Sequence, residues 1–200
     1  MDVRIEDPMH PLNRLDFEPV ADLIVGKTLL DVGCGKGTWL AYLKLNRPDI
    51  KAVGVDIEKA YVERCRRKGL EAYVMSIYSL KYPDSSWDTV TCMHVLEHLQ
   101  DDRKALFELL RVARQRVIIV LPRFYPTIKQ WRQAWLEHCN IVYTPLLLDR
   151  LLRGLAYSYR EHYNPTGVSE SWLIVIDKDL NPEYEIIIGG GDWLQNRSRC

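Results

Sequence analysis

Short apolar runs alternate along the chain with segments in which apolar residues recur every three or four positions. The runs are rich in Val, Ile and Leu and are typical of strands buried on both faces of a parallel sheet, whereas the spaced segments are typical of helices with one buried face. The predicted strands are residues 28–32, 51–56, 71–76, 87–93, 116–121, 171–177 and 184–188, and the predicted helices are residues 38–45, 58–68, 101–113 and 145–153.

The order of these elements predicts the fold class. Strands and helices alternate as far as residue 155, which indicates an α/β sandwich whose parallel strands are joined by right-handed crossovers. The last two predicted strands, 171–177 and 184–188, are joined only by a turn at Asn181-Pro182. Such a pair forms an antiparallel hairpin at one edge of the sheet. The sequence therefore predicts a single domain over residues 1–200, built on a seven-stranded, mostly parallel sheet with an antiparallel C-terminal hairpin.

One segment, residues 122–140, interrupts this alternation between the fifth strand and the last helix. It is rich in aromatic side chains and leaves the sheet at the carboxyl end of the fifth strand. An aromatic segment there could cover an apolar or aromatic ligand. The i, i+4 spacing of Trp131 and Trp135 fits equally well a helix stripe buried on the sheet. Both interpretations stay open for the tryptophans.

Composition and charge narrow the class of protein. The chain has 200 residues, of which 47% are apolar and 27% charged, which is enough hydrophobic material for a core. The formal net charge is zero, which argues against a nucleic-acid binder. The N-terminus is polar and broken by proline, and no apolar run is long enough for a membrane span. The five cysteines form no CxxC pair, so we expect reduced thiols in a cytoplasmic protein.

Candidate chemistry begins where the first predicted strand ends. Asp31 lies in that strand just before a loop with glycines at positions 33, 35 and 37, and the second strand ends in Asp56. Glycine allows a sharp turn and the close approach of a ligand to the backbone. Ligands of open α/β sheets bind at the carboxyl ends of the strands, where an acidic residue can accept both hydroxyls of a ribose. The loop and the acid together predict a nucleoside-containing cofactor.

The spacing within the loop separates two cofactor classes. A dinucleotide fingerprint would have a third glycine where this chain has Thr38. Asp31 would be a poor neighbour for a pyrophosphate but a good one for a ligand that carries an ammonium and a sulfonium group. The plain alternative makes Asp31 a helix or turn cap and Asp56 a residue that starts a helix.

The sequence resembles the class I S-adenosylmethionine-dependent methyltransferases, and within them the type 11 branch. The resemblance rests on LLDVGCGKGTWL at residues 29–40, VGVDIE at 53–58, YPDSSWDTV at 82–90 and HVLEHL at 94–99. It implies a Rossmann-like three-layer sandwich and methyl transfer from S-adenosylmethionine, with S-adenosylhomocysteine as the product. The chain departs from the branch in having Ser76 in place of the usual aspartate and in lacking a Pro-Gly-Gly turn before the fifth strand.

The resemblance also implies roles for individual residues. Asp31 and the loop backbone would hold the methionine part of the cofactor, and Asp56 would hold the ribose hydroxyls. Ile57 would pack on adenine, and the end of the third strand would contact the adenine ring and amino group. The cofactor-binding residues implied in this way are Asp31, Gly33, Cys34, Gly35, Asp56, Ile57, Ser76, Ile77 and Met93.

Two histidines are the candidate catalytic residues. Methyl transfer requires alignment of the reactants, and a base only when the acceptor arrives protonated. His94 follows the fourth strand at the edge where the methyl group should lie, although a structural histidine capping the next helix is an equal alternative. His138 lies in a segment that resembles the acceptor region of the branch. Arg123 and Tyr125 are the candidate acceptor contacts.

The spacing of His94, Glu97 and His98 would place all three on one face of a predicted helix, which is a plausible arrangement for a metal. Glu97 and His98 belong to the ordinary motif of the branch, so we expect a hydrogen-bonded pair and no metal. The acceptor is predicted to be a small molecule methylated on oxygen, nitrogen or carbon, without a nucleic-acid or membrane partner. A protein or RNA methyltransferase, or a cofactor-binding partner subunit that no longer catalyses, stays open as an alternative.

Overall fold

A computed structural model describes residues 14–122, 143–163 and 169–180 of the chain. In these residues strands and helices alternate through most of the chain, as the sequence pattern predicts. The strands are β1 (Thr28–Val32), β2 (Lys51–Asp56), β3 (Ala72–Val74), β4 (Trp87–Met93), β5 (Ala113–Pro122), β6 (Ser158–Tyr163) and β7 (Ser169–Asp177). The helices are α1 (Arg14–Ala21), α2 (Thr38–Asn46), α3 (Lys59–Arg67), α4 (Asp102–Val112) and α5 (Pro145–Leu152).

The described strands form one seven-stranded sheet in the order β3-β2-β1-β4-β5-β7-β6. The strands from β1 to β5 run parallel, whereas β7 pairs antiparallel with both β5 and β6. This arrangement confirms the predicted α/β sandwich with a mostly parallel sheet and an antiparallel C-terminal end. It also places the carboxyl ends of β1, β2 and β4 side by side, because these three strands are neighbours.

The predicted hairpin has a different second strand from the one expected. One edge of β7 pairs with β5, through Ile174 and Ile119, and the other pairs with β6, through Ile174 and Tyr159. The strand next to β7 in the hairpin is therefore residues 158–163 and not residues 184–188, which lie outside the described residues. The sequence of β6, Ser-Tyr-Arg-Glu-His-Tyr, has no apolar run. A strand at the edge of a sheet has a single neighbouring strand, so it does not need one.

The helix α1 is also absent from the sequence prediction. Pro19 lies inside it, and proline usually ends a helix rather than continuing it. Its buried contact is Phe17, whose ring centre lies 5.2 Å from that of Trp39 and 5.2 Å from that of Tyr42. Aromatic packing against α2 therefore holds this short helix in place.

Helix α4 supplies much of the core on the other face of the sheet. Leu106, Leu109 and Leu110 on this helix are fully buried among side chains of β4 and β5. Asp101 caps the helix by accepting a hydrogen bond from the Lys104 N–H at 3.0 Å. No helix in residues 14–122, 143–163 or 169–180 is both long enough and apolar enough to cross a membrane.

Asp88, at the start of β4, joins three parts of the chain. Its Oδ2 atom accepts hydrogen bonds from the Lys27 N–H at 2.9 Å and from the N–H and hydroxyl of Thr28, each at 3.0 Å. Its Oδ1 atom accepts from Arg114 at 2.8 Å and from Gln115 at 3.2 Å. Burial raises the pKa of Asp88, but these hydrogen bonds outweigh burial and hold the pKa below its usual value. The carboxylate thus fixes the starts of β1 and β5 beside that of β4.

Replacing Asp88 by Asn should lower the free energy of unfolding at pH 7 by about 1.5–3 kcal/mol, because a charged acceptor with several donors is lost. Since the folded-state pKa is lowered from 3.8, this stabilisation is present above about pH 4 and disappears as the pH falls through the folded-state pKa. Urea unfolding at pH 7 and near pH 3 measures both effects. The control is Asp84→Asn, which removes an ion pair at a largely exposed carboxylate and should cost less than about 1 kcal/mol. Equal losses in the two variants would contradict this role of Asp88.

Candidate active site

The loop after β1 is attached to the end of β2 by backbone hydrogen bonds. The N–H groups of Gly33 and Cys34 both donate to the Val55 carbonyl, at 2.8 and 3.0 Å. Gly33 has a φ angle of 78°, and a Cβ atom at this position would overlap the side chain of Val95. Only glycine combines this left-handed backbone with so close an approach. The loop therefore has one fixed path across the top of β1.

Gly35 is the part of the loop that a ligand can approach. Its φ angle is 51°, and a Cβ atom built on it would meet no other atom within 4 Å. Its N–H donates to Asp56 Oδ2 at 2.8 Å. Asp56 thus holds the Gly35 backbone in place through its N–H, and the space beside the Gly35 Cα is open.

Asp31 is a buried carboxylate in β1, and its side chain is 2% exposed. It lies opposite Thr91 of β4, whose hydroxyl donates to Oδ1 at 2.9 Å. Among the described residues nothing donates a hydrogen bond to Oδ2. Burial is the main reason that the pKa of Asp31 is raised to about 7; the hydrogen bond from Thr91 opposes this rise, and the charge of Asp56 adds to it. A cationic group of a ligand beside Oδ2 would compensate the buried negative charge, for which the described residues provide only one hydroxyl.

Asp56 lies at the end of β2, and its carboxylate accepts hydrogen bonds from two backbone N–H groups. Oδ2 accepts from the Gly35 N–H, and Oδ1 accepts from the Glu58 N–H at 2.9 Å. Each carboxylate oxygen has a second lone pair, which leaves both oxygens able to accept another hydroxyl. The plain alternative, that Asp56 starts a helix, does not hold: α3 begins at Lys59 with Glu58 at its N-cap, and Asp56 only stabilises the turn before it.

The other predicted cofactor contacts differ in how accessible they are. Ile57, next to Asp56, is 68% exposed and offers an apolar surface to a planar ring. The Ser76 hydroxyl accepts a hydrogen bond from the Tyr78 N–H at 3.3 Å, and Ile77 is half-buried against the core. The Met93 side chain is 6% exposed and packs in the core, which leaves its backbone for any ligand contact.

His94 lies at the carboxyl end of β4 in an unusual backbone conformation. Its φ angle is 54°, and its N–H donates to the Val120 carbonyl of β5 at 2.9 Å. Its Nδ1 atom lies 3.4 Å from Oε1 of Glu97, a side chain that is 1% exposed. The other carboxylate oxygen, Glu97 Oε2, is buried and has no hydrogen-bond partner in the described part of the chain. A non-glycine residue with positive φ is uncommon and occurs often at functional sites.

The expectation that His94, Glu97 and His98 share a helical face is wrong. His94 precedes a short 3₁₀ turn, Leu96–His98, and His98 is exposed. Val95 begins this turn without a side-chain cap, so the alternative role of His94 as a helix cap has no support. Within the described ranges no three His, Cys, Asp or Glu side chains are grouped to hold a metal. The absence of a metal stays a prediction.

The chain leaves and re-enters the described structure beside His94. The N–H of Tyr143 donates to the Pro122 carbonyl at 3.5 Å, and Pro122 ends the strand whose Val120 is bonded to His94. The predicted residues Arg123, Tyr125 and His138, together with Trp131 and Trp135, lie outside the described residues.

Sequence reasoning missed Thr91 as the partner of Asp31, and it paired Glu97 with His98 whereas the structure places Glu97 beside His94. Thr91 is fully buried in a strand that also contains the fully buried Thr89. Polar residues at alternate positions of an otherwise apolar strand were the signal for Thr91, because a buried hydroxyl needs a partner.

Comparisons with known proteins agree with this arrangement. The family model described as a methyltransferase domain matches residues 30–121. A ubiquinone biosynthesis O-methyltransferase from Hahella chejuensis is 31% identical over 182 residues, which cover 86% of this chain and 72% of that protein. An ajmaline N-methyltransferase from Rauvolfia serpentina is 35% identical over 104 residues, which cover 48% of this chain and 35% of that protein.

The fold is similar to that of solved methyltransferases. The magnesium protoporphyrin IX methyltransferase of Synechocystis, whose crystal structure has S-adenosylhomocysteine bound, superimposes with a TM-score of 0.59 at 18% identity. The match covers 79% of this chain and 77% of that one. With the glycine loop, the acid at the end of β2 and these relatives together, the chain belongs to the class I S-adenosylmethionine-dependent methyltransferases, type 11 branch.

Proposed function

We propose that this methyltransferase transfers the methyl group of S-adenosylmethionine to an oxygen, nitrogen or carbon atom of a small molecule, with His94 as the base on the acceptor side. The observation that carries the proposal is the placement of His94. It stands at the carboxyl end of β4, one strand from Asp31, with its ring beside the buried carboxylate of Glu97.

The residues around the loop fit the cofactor. Asp31 would bind the ammonium group through Oδ2, and Gly35 would allow the methionine part to lie against the backbone. Asp56 would accept the ribose hydroxyls on its remaining lone pairs, and Ile57 would pack on adenine. When bound, S-adenosylmethionine supplies a methyl group on a sulfonium, whose positive charge disappears on transfer. The chain's contribution to that step is alignment of the acceptor and removal of its proton.

His94 has the geometry of an oriented base. Glu97 Oε1, on the Nδ1 side of the ring, favours the proton on Nδ1, which leaves Nε2 free to accept the acceptor's proton. Since Glu97 is buried, it also stabilises the imidazolium that forms. The positive φ of His94 fixes the backbone from which the ring projects.

A small-molecule acceptor is supported by three observations. The relatives described above are named as methyltransferases of ubiquinone biosynthesis, of ajmaline and of magnesium protoporphyrin IX. The formal net charge of the chain is zero, which gives no general attraction for nucleic acid. The segment 123–142 is attached at Pro122 and Tyr143, beside His94, where an acceptor would have to enter. On the same basis we propose a cytoplasmic location, where such metabolites are made.

Purified protein supplied with S-adenosylmethionine carrying a labelled methyl group should transfer the label to the small-molecule fraction of a metabolite extract. The label should not enter protein or RNA, because the proposed acceptor is a small molecule. Scintillation counting of the separated fractions measures this. Label in the macromolecular fraction would favour a protein or RNA methyltransferase. Binding of S-adenosylhomocysteine without transfer to any fraction would favour a non-catalytic partner subunit.

The affinity for S-adenosylhomocysteine should rise with pH. Its ammonium group favours ionised Asp31, so binding below the pKa must first displace a proton. Affinity should increase roughly tenfold from pH 6 to pH 8, because a carboxyl of pKa about 7 goes from about one-tenth to about nine-tenths ionised. Calorimetry measures it. 5′-Methylthioadenosine, which lacks the ammonium group, should bind with little pH dependence, and Asp31→Asn should remove the dependence for S-adenosylhomocysteine. The same slope in Asp31→Asn would exclude Asp31 as its source.

Replacing His94 by Asn should lower kcat by about 10²–10⁴-fold, the usual contribution of a general base. Asn tolerates the left-handed backbone at this position, so the fold and the affinity for S-adenosylhomocysteine should be retained. Steady-state rates with the identified acceptor, and calorimetry with the product, measure the two effects separately.

Two further experiments, the variant Glu97→Gln and treatment with a chelator, test the role of His94 together with His94→Asn. Glu97→Gln should lower kcat less than His94→Asn, because the base stays in place and only the charge partner of the imidazolium is lost. Activity should survive exhaustive chelation. An unchanged kcat in His94→Asn would make the histidine structural, and activity lost on chelation but restored by one metal would assign His94 and Glu97 to a metal.

A further inference from the structure

Two cysteine side chains lie against the glycine loop and have no part in the proposed reaction. Cys34 belongs to the loop itself, and Cys65 lies on α3. The Cys34 sulfur lies 4.0 Å from the Gly35 carbonyl oxygen, and both cysteines belong to one buried cluster. The Cys65 sulfur also lies 3.3 Å from the Gly35 carbonyl oxygen. Both cysteines are free thiols. A dithiol pair therefore lies directly under the stretch of backbone that the cofactor has to approach.

We propose that Cys34 and Cys65 form a reversible oxidation site, whose disulfide form closes the glycine loop to the cofactor. The consequence for the cofactor rests on the function proposed above, whereas the formation of the disulfide does not. Hydrogen peroxide is the oxidant, because the pair is nearly buried and only a small molecule can reach it. Cys34 is 7% exposed and Cys65 is fully buried.

The chemistry requires one peroxide for each disulfide. The Cys65 sulfur attacks a peroxide oxygen, the O–O bond breaks, and the second oxygen leaves as water with the thiol proton. The Cys34 sulfur then displaces the hydroxyl of the resulting sulfenic acid, which leaves as a second water with the Cys34 proton. The neighbouring Cys34 thiol and the charge of Lys68 lower the pKa of Cys65, which favours this order of attack.

The disulfide should change the loop because its formation has to draw both sulfurs out of their present packing. A disulfide bond is about 2.0 Å long, much shorter than a contact between two thiols. A Cβ atom at Gly54 would lie 2.8 Å from the Cys34 sulfur, and one at Gly37 would lie 2.7 Å from the Cys65 sulfur. Both sulfurs are thus packed against glycine backbone. The loop segment that carries Cys34 must shift when the bond forms, and Gly35 shifts with it.

Peroxide treatment of the full chain should join Cys34 to Cys65 and lower the affinity for S-adenosylhomocysteine by about 5- to 150-fold, the usual range of coupling between two linked sites. Dithiothreitol should restore the affinity. Peptide mapping by mass spectrometry identifies the disulfide, and calorimetry measures the affinity. Bound S-adenosylhomocysteine should slow the oxidation, because it covers the open space at Gly35 next to the Cys65 sulfur.

Three variants separate this pair from other effects of peroxide. Cys65→Ser retains a hydrogen-bond donor toward the Gly35 carbonyl but cannot form the bond, so its affinity should be the same before and after treatment. Cys92→Ala removes a buried cysteine elsewhere in the sheet and should respond as the unaltered chain does. The double variant Cys139→Ser, Cys200→Ser removes the two cysteines outside the described residues and should respond in the same way.

Two results would overturn the proposal. One is a treated chain in which no peptide joins Cys34 to Cys65. The other is a chain with that disulfide and an unchanged affinity for S-adenosylhomocysteine. If the reduced chain does not bind S-adenosylhomocysteine, the proposed function is wrong, and the disulfide cannot regulate cofactor binding. The peptide map still reports in that case whether the thiol pair is oxidised, so the two failures are distinguishable.

Discussion

Asp31 and Thr91 face each other across β1 and β4, and the hydrogen bond between them keeps a carboxylate in the interior of the sheet. A buried carboxylate costs several kcal/mol unless it is paired. One hydroxyl satisfies one oxygen, and the pKa of about 7 shows that the cost is only partly offset. In the proposed function, this remaining deficit favours the binding of a cation beside Asp31. The parallel register of β1 and β4 places Thr91 opposite Asp31, so the proposed binding depends on the same strand pairing as the fold.

The two ends of β1 are held by carboxylates for different purposes. At its start, Asp88 accepts hydrogen bonds from Lys27 and Thr28 and has its full set of partners. At its end, Asp56 shares its oxygens between Gly35 and Glu58 and keeps lone pairs for a ligand. The carboxylate with its full set of partners stabilises the fold, whereas the one with lone pairs to spare is the one proposed to bind the cofactor. This difference accounts for the unlike roles that the fold and the proposed function give to Asp88 and Asp56.

The central strands, the loop and the acids could be predicted from the sequence because each depends on local chemistry. Apolar runs identify strands buried on both faces, and glycine identifies the positive φ of the loop. Strand β6 could not be found in this way, since an edge strand needs no apolar run. Helix α1 was not predicted because Pro19 lies inside it. Its stability comes from the packing of Phe17 on α2 rather than from the helix propensity of its sequence. The contacts of Thr91 with Asp31 and of Glu97 with His94 depend on which strands and turns become neighbours, and this cannot be read from a single sequence.

The positive φ angle of His94 is unfavourable locally, but it is stabilised by contacts that form only in the folded protein. A histidine with positive φ is strained, and the strain is tolerated because its N–H is bonded to Val120 and its ring lies beside Glu97. Glu97 in turn keeps one buried oxygen without a partner in the described structure. The contact between the two side chains therefore serves both positions. It orients an imidazole at the edge of the sheet where β1, β2 and β4 end, which is where a methyl group held by the loop would lie.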